Sequence, residues 1–185
     1  MRIYYDTEFI ENGRTIDLIS IALVAEDGRE YYAVNREMPV RRIRRHDWLM
    51  KNVVPSLPHG QGDRRNHLPK AWLFDYYDPT VQRRAVIADQ VRRFIQDTPD
   101  PQLWAWYGAY DHVVLAQLFG RMIDLPTGVP MWTNDLRQET ERLGNPHLPE
   151  QPAGLHNALA DARHNRARAE FLDRHQRPAN SDRSD

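Results

Sequence analysis

Strand-like and helix-like periods follow one another along this chain in a definite order. In the first third, runs of branched and aromatic residues alternate with turn signals: Arg2 to Phe9, Asn12-Gly13, Thr15 to Ala25, Glu26-Asp27-Gly28, then Arg29 to Val34. Asn-Gly and Asp-Gly between such runs take the positive φ that tight hairpin connections demand, so the pattern predicts a three-stranded antiparallel meander. The middle run, Ile16 through Val24, is apolar enough to lie inside a sheet.

After Met38 the period changes. A short helix is expected over Arg44 to Val54, followed by a Pro-, Gly- and His-rich stretch from Pro55 to Pro69 that reads as a mobile surface loop. Thr80 is placed to cap a helix whose apolar residues Val81, Ala85, Ala88, Val91 and Ile95 recur every three to four positions, ending near Thr98-Pro99. Leu103 to Tyr107 is a short aromatic strand, and Tyr110 to Phe119 a helix opening at Asp111, together half of a βαβ unit. Asn134 to Leu143 reads as a helix, Gly144 to Pro152 as a Pro-punctuated loop, and Asn157 to His175 as a long final helix. The expected fold is α/β: a mixed sheet, the meander plus parallel strands, flanked by helices. One domain is expected over 1–176, with a disordered tail over 177–185 rich in Pro, Ser, Asn and charge.

Composition narrows the chemistry. Hydrophobic residues at 41% and charged residues at 28% suit a soluble globular chain, and no window approaches the ~18 apolar residues of a membrane span. The opening MRIYYDTEFIENG sets two carboxylates where a signal or transit peptide would need an apolar or Arg-rich run, so a cytoplasmic protein is expected. Zero cysteines exclude disulfides, a thiolate zinc site and a cysteine nucleophile. A net charge of −1 carries no general sign of nucleic-acid binding. Locally, however, Arg36, Arg41, Arg42, Arg44, Arg45 and Lys51 face only Glu37 and Asp47. Such a cluster follows a phosphate backbone or forms a solvated helix face.

The candidate chemistry lies in carboxylates. Asp6 and Glu8 stand two apart on a strand and leave the same face, with Tyr4 behind them on it; alone they are a solvated strand end or half of a metal site. Asp111, in WAWYGAYDHVVL, falls at a strand-to-helix junction, where it serves as a helix-terminal acid or faces a ligand at the sheet's carboxyl edge. His156 and Asp161 open the last helix. Residues five apart on a regular helix point ~140° away from each other, so the two converge only if His156 precedes the helix and Asn157 caps it. Four carboxylates without cysteine suit hard cations, Mg²⁺ or Mn²⁺. Two such ions ~3.5 to 4 Å apart can clamp the attacking and leaving oxygens of a phosphodiester. A histidine, whose side chain ordinarily titrates near neutrality, is suited to take the proton from an attacking water.

DTEF, YGAYDHVVL and HNALADAR, in this order and spacing, resemble the motifs of DEDDh 3′-to-5′ exonucleases, and in particular those of the small polyadenylate-specific 3′-exoribonuclease AS group. The likeness runs from residue 1 to about residue 172 and is weakest across 36–75. It implies a ribonuclease H-like fold, two Mg²⁺ per site with Mn²⁺ as an alternative, a homodimer, and a preference for adenylate-rich RNA 3′ ends. Residue by residue, Asp6, Glu8, Asp111 and Asp161 match the metal-binding acids and His156 the general base. Thr7 and Phe9, interleaved with the first two acids, are candidate substrate contacts, Phe9 either stacking on a base or turning to the core opposite Glu8. Trp104 and Trp106 read as core or interface residues. The same acids would serve an exonuclease acting on DNA or short oligonucleotides. A catalytically silent RNA-binding module and a polymerase-docked proofreading subunit are readings from other classes.

Overall fold

The computed structural model describes residues 1–60 and 72–176. Three strands form the expected meander: β1 (Arg2–Glu11), β2 (Ile16–Ala25) and β3 (Glu30–Asn35). Then come two short helices, α1 (Val40–Ile43) and α2 (Asp47–Asn52), a 3-10 turn at Val54–Ser56, and β4 (Val81–Gln82). The remainder is α3 (Arg84–Gln96), β5 (Gln102–Ala105), α4 (Ala109–Gln117), a 3-10 turn at Met122–Asp124, β6 (Asn134–Asp135), α5 (Leu136–Arg142) and α6 (Ala158–Gln176). The strand order is β4-β3-β2-β1-β5-β6, antiparallel within the meander and parallel at the β3–β4, β1–β5 and β5–β6 pairings.

Alternation along β1 sorts the layers. Ile3 and Tyr5 join Ile87, Val91 and Ile95 of α3 and Val114 and Leu115 of α4 in the largest core cluster. Tyr4, on the opposite face, packs with Leu136 of α5 and Ala169 and Leu172 of α6. Each fully buried aliphatic side chain contributes about 1.5–3 kcal/mol, so α3 is held chiefly by its buried stripe. Between Glu8 and Phe9 the register with β2 slips by one residue, because β2 carries an extra residue at Ile19. Ile19 and Ile10 thereby join a third cluster with Leu49, Val53 and Trp72, which anchors the α1–α2 segment on the sheet.

Several expectations are corrected. Thr80 does not cap a helix: its hydroxyl is bonded to Asp78, Val81 pairs with Val34 as β4, and α3 begins only after its cap residue Arg83. Cross-strand pairing outweighs the helical period there, and the buried stripe is Ile87, Val91 and Ile95 rather than one starting at Val81. The helix expected over Arg44 to Val54 starts at Asp47, since His46 is extended and its ring accepts from the Leu49 amide at 3.3 Å. Asn134–Asp135 is a strand, paired with Trp104 and Ala105, before α5 starts. In the basic cluster, Arg42 pairs with Asp17 at 2.6 Å, Arg44 donates to the Trp72 carbonyl at 2.7 Å, and Arg36 donates to the Tyr76 carbonyl at 3.1 Å. Half of that cluster is therefore built into the fold, while Arg41 and Arg45 stay exposed. Most of the proposed loop, 61–69, and the tail 177–185 lie outside the described residues. Among the described residues no helix is long and apolar enough to cross a membrane.

Candidate active site

The odd-even alternation that buries Tyr4 also aims Asp6 and Glu8 at the α6 side of the sheet, just past the point where β5 stops pairing with β1 at Tyr4. Ligands collect beyond the carboxyl ends of parallel strands, and here a cavity of about 410 Å³ opens. Asp6, Glu8, Asp111, His156 and Asp161 all line it, together with Thr7 and Phe9. The sequence-predicted residues are thus brought together from β1, α4 and the start of α6.

Asp111 lies in the first turn of α4, whose cap position is Gly108. It is 6% exposed, and its Oδ1 accepts from both the Thr7 amide, at 2.8 Å, and the Thr7 hydroxyl, at 2.6 Å. Thr7 thus commits both donors to Asp111. Phe9 packs partly against the large core cluster and stacks on Tyr110, with ring centroids 6.0 Å apart and 18° between planes, while also lining the cavity.

His156 does precede the last helix. Asn157 caps α6 by accepting from the Ala160 amide at 3.0 Å, and the Asn157 amide donates to the Gly154 carbonyl at 3.1 Å, closing a turn around Leu155 and His156. Gly154 has a φ of +77°, and a Cβ there would meet that of Ala160 at 2.7 Å, so the turn needs glycine. Asp161 receives a 2.6 Å hydrogen bond from Gln151. Glu8, His156 and Asp161 offer ligand atoms within 4.8 Å of one another, close enough to hold one ion.

Electrostatically the cluster is under tension. Burial, reinforced by Asp111, Glu8 and Asp161, pushes Asp6 well above the usual carboxylate range. Burial and then Asp161 and Asp111 push Glu8 up to about 8. Asp111 rises to about 6 through burial, opposed by its bonds from Thr7. Asp161 is raised by burial, with the Gln151 bond opposing. Mutually repelling buried oxygens of this kind fit hard divalent cations, which would relieve the repulsion and replace the lost hydration.

Some site residues escaped the sequence reading. Arg168 of α6 lines the cavity, stacks over Trp106 at 4.3 Å and donates to Asn165 at 3.2 Å. Asn165 in turn donates to the Tyr5 carbonyl at 3.2 Å, tying α6 to β1. Asp161, Asn165 and Arg168 recur at helical spacing on one face, a signal present in the sequence. Trp48, Gln151 and Leu155 also line the cavity, and nothing local marks them.

A mixed sheet in this order, flanked by helices, with acids gathered at its parallel edge, defines a ribonuclease H-like exonuclease fold. Solved chains of exonuclease I share it: the apo enzyme superimposes with a TM-score of 0.59 at 13% identity, covering 95% of this chain and 42% of that one. The Escherichia coli enzyme in complex with a dA16 oligonucleotide gives 0.59 at 11% identity, with 95% and 41% covered. This chain spans about two fifths of the length of those structures. The 3′-5′ exoribonuclease Rv2179c-like domain family matches residues 71–172. The 3′-5′ exoribonuclease Rv2179c of Mycobacterium tuberculosis H37Rv is 46% identical over 163 residues, 88% of each chain, and its counterpart in strain CDC 1551 matches equally. The chain belongs to the Rv2179c-like 3′-5′ exoribonuclease family and is a nuclease of the hydrolase class.

Proposed function

We propose that this protein trims RNA from the 3′ end by hydrolysis with two divalent metal ions, Mg²⁺ or Mn²⁺, held by Asp6, Glu8, Asp111 and Asp161. The observation that carries the reading is the convergence of these four acids and His156 in one cavity, from segments as far apart as residues 6 and 161. Bound ions would neutralise the cluster and polarise the scissile phosphate and the attacking water. In this reading a ring nitrogen of His156 takes the proton from that water as it attacks phosphorus. The bond from phosphorus to the 3′-oxygen breaks, that oxygen is protonated from solvent, and a nucleoside 5′-monophosphate leaves a chain shortened by one residue. Thr7 holds Asp111 in place, and Phe9, braced by Tyr110, stacks on the terminal base. Arg168 adds a positive charge beside Asp6 and Asp161 that favours the anionic substrate.

The preferred substrate in this proposal is adenylate-rich RNA, supported by the motif likeness to the adenylate-specific group. Adenine would be chosen by hydrogen bonds to its amine and ring nitrogens, because backbone and metal contacts treat all four nucleotides alike. A homodimer working in the cytoplasm completes the reading. The test is degradation of labelled poly(A), poly(U), poly(C), an unstructured G-containing oligomer and a DNA homopolymer, with Mg²⁺ and with EDTA, resolved on a gel. A single-nucleotide ladder from the 3′ end, abolished by EDTA and at least about tenfold faster on poly(A), is expected, tenfold corresponding to ~1.4 kcal/mol. Equal rates on all RNAs would discard the adenylate preference alone, and faster DNA than RNA cleavage would discard RNA as the substrate.

A further inference from the structure

The segment with the weakest motif likeness, 36–75, reaches into the candidate site through its first part. Trp48 of α2 lies edge-to-face against the His156 ring, with centroids 4.8 Å apart and an interplanar angle of 73°. Ser56, in the 3-10 turn that follows α2, has its hydroxyl 2.9 Å from the His156 carbonyl and 2.8 Å from the Val53 carbonyl, sharing one proton between them. Both contacts fall on a residue in an unusual conformation. His156 has a φ of +62° in a turn closed by the bond from the Asn157 amide to the Gly154 carbonyl. Glycine is the residue that ordinarily takes such a position, and a side chain there persists only where its surroundings hold it.

From this geometry we propose that Trp48 and Ser56 are positioning residues, a clamp that fixes the ring and backbone of His156 at the mouth of the cavity. The proposal rests on the reading of His156 as the general base. α2 is suited to the task because its neighbouring residues are anchored: Leu49 and Val53 are buried in the third core cluster, so Trp48 is carried on a fixed base although half of its surface is exposed. Edge-to-face contact restrains the tilt of an imidazole without a hydrogen bond to its nitrogens, so that a ring nitrogen stays available to a water. The backbone contact from Ser56 restrains the other end of the same residue. A base held slightly out of line loses rate steeply, since proton transfer needs hydrogen-bond distance to the reacting water. Trp48 and Ser56 both lie outside the residues that the family match covers, 71–172.

The test is a double-mutant cycle read in single-turnover mode on labelled RNA with the full-length protein and Mg²⁺. Trp48→Ala is expected to lower the rate of the chemical step about 10- to 100-fold with the substrate concentration for half-maximal rate unchanged, and Trp48→Phe to recover most of it. Ser56→Ala should act in the same direction more weakly. In a His156→Ala background, Trp48→Ala should cost nothing further, because a clamp has nothing left to hold. The ring-proton signals of His156 in an NMR spectrum should move on Trp48→Ala, and thermal melting would verify that the variant folds. An equal loss from Trp48→Ala in both backgrounds would overturn the clamp while leaving His156 as the base. So would a loss confined to substrate affinity, which would make Trp48 a base platform. Full activity of His156→Ala would overturn the base reading and the clamp with it.

Discussion

Thr7 donates twice to a single oxygen of Asp111, through its amide at 2.8 Å and its hydroxyl at 2.6 Å, across 104 residues of sequence. With Oδ1 so committed, Oδ2 is the atom left to serve the cavity. Hydrogen bonds to an ionised group are worth ~1.5–3 kcal/mol, so Thr7→Val should leave Asp111 harder to ionise at neutral pH. The expected outcome is a roughly tenfold weaker apparent Mg²⁺ affinity in activity titrations, with maximal rate largely restored at saturating metal. An unchanged Mg²⁺ titration would show that the pair is purely structural.

Asp111→Asn keeps an oxygen for Thr7 but removes one negative charge from the cluster. Hydrolysis with Mg²⁺ should fall below detection while the metal-free protein melts no lower than the parent, because the lost charge relieves repulsion. Substantial remaining turnover would reduce Asp111 to a helix-terminal acid.

The raised carboxylates make a prediction about pH. Glu8 goes from 4.5 to about 8 and Asp111 from 3.8 to about 6, both through burial first. Between the unfolded and folded values the native state holds protons that the unfolded chain has released. Stability from these groups is therefore fully present below the unfolded values and is lost as pH rises through the folded ones. In EDTA, the melting temperature should be lower at about pH 8.5 than at about pH 6, each kcal/mol being worth roughly 2–4 °C. Saturating Mg²⁺ should narrow the difference, since cations bind the deprotonated native site. A metal-free melting temperature that rises over this interval would contradict the repulsive cluster.

His156→Ala should slow turnover by ~10²- to 10⁴-fold, the usual contribution of a positioned base, and leave Mn²⁺ binding by calorimetry unchanged. Loss of Mn²⁺ affinity would instead make His156 a ligand beside Glu8 and Asp161, whose atoms are within 4.8 Å.

Arg41 and Arg45 are exposed arginines of the basic segment, whereas Arg36, Arg42 and Arg44 serve the fold through the Tyr76 carbonyl, Asp17 and the Trp72 carbonyl. Replacing Arg41 and Arg45 with Ser should weaken RNA binding and reduce the salt slope by roughly 0.7 for each phosphate no longer neutralised, measured in the inactive Asp111→Asn protein. A slope equal to the parent's would identify them as a solvated surface.

Much of the site could be read from sequence because its residues sit on short-range regularities. The strand period sends Asp6 and Glu8 to one face whatever they pack against, a strand-to-helix junction places Asp111 at the sheet edge, and Asn157 as a cap puts His156 ahead of α6. Asn12-Gly13 and Asp27-Gly28 likewise set the meander by local backbone preference. Other features had no local mark. The apolar spacing from Val81 suggested a helix starting there, yet pairing with Val34 made that residue a strand and the buried helical stripe is Ile87, Val91 and Ile95. The extra residue at Ile19 depends on how β2 meets β1. Trp48 and Ser56 meet His156, and Arg168 meets Trp106, only after distant segments pack. Backbone periodicity decides which way a side chain points within its own element. Which side chains then touch across roughly 60 to 110 residues is decided by burying the apolar faces of those elements together, and that is a property of the packed molecule.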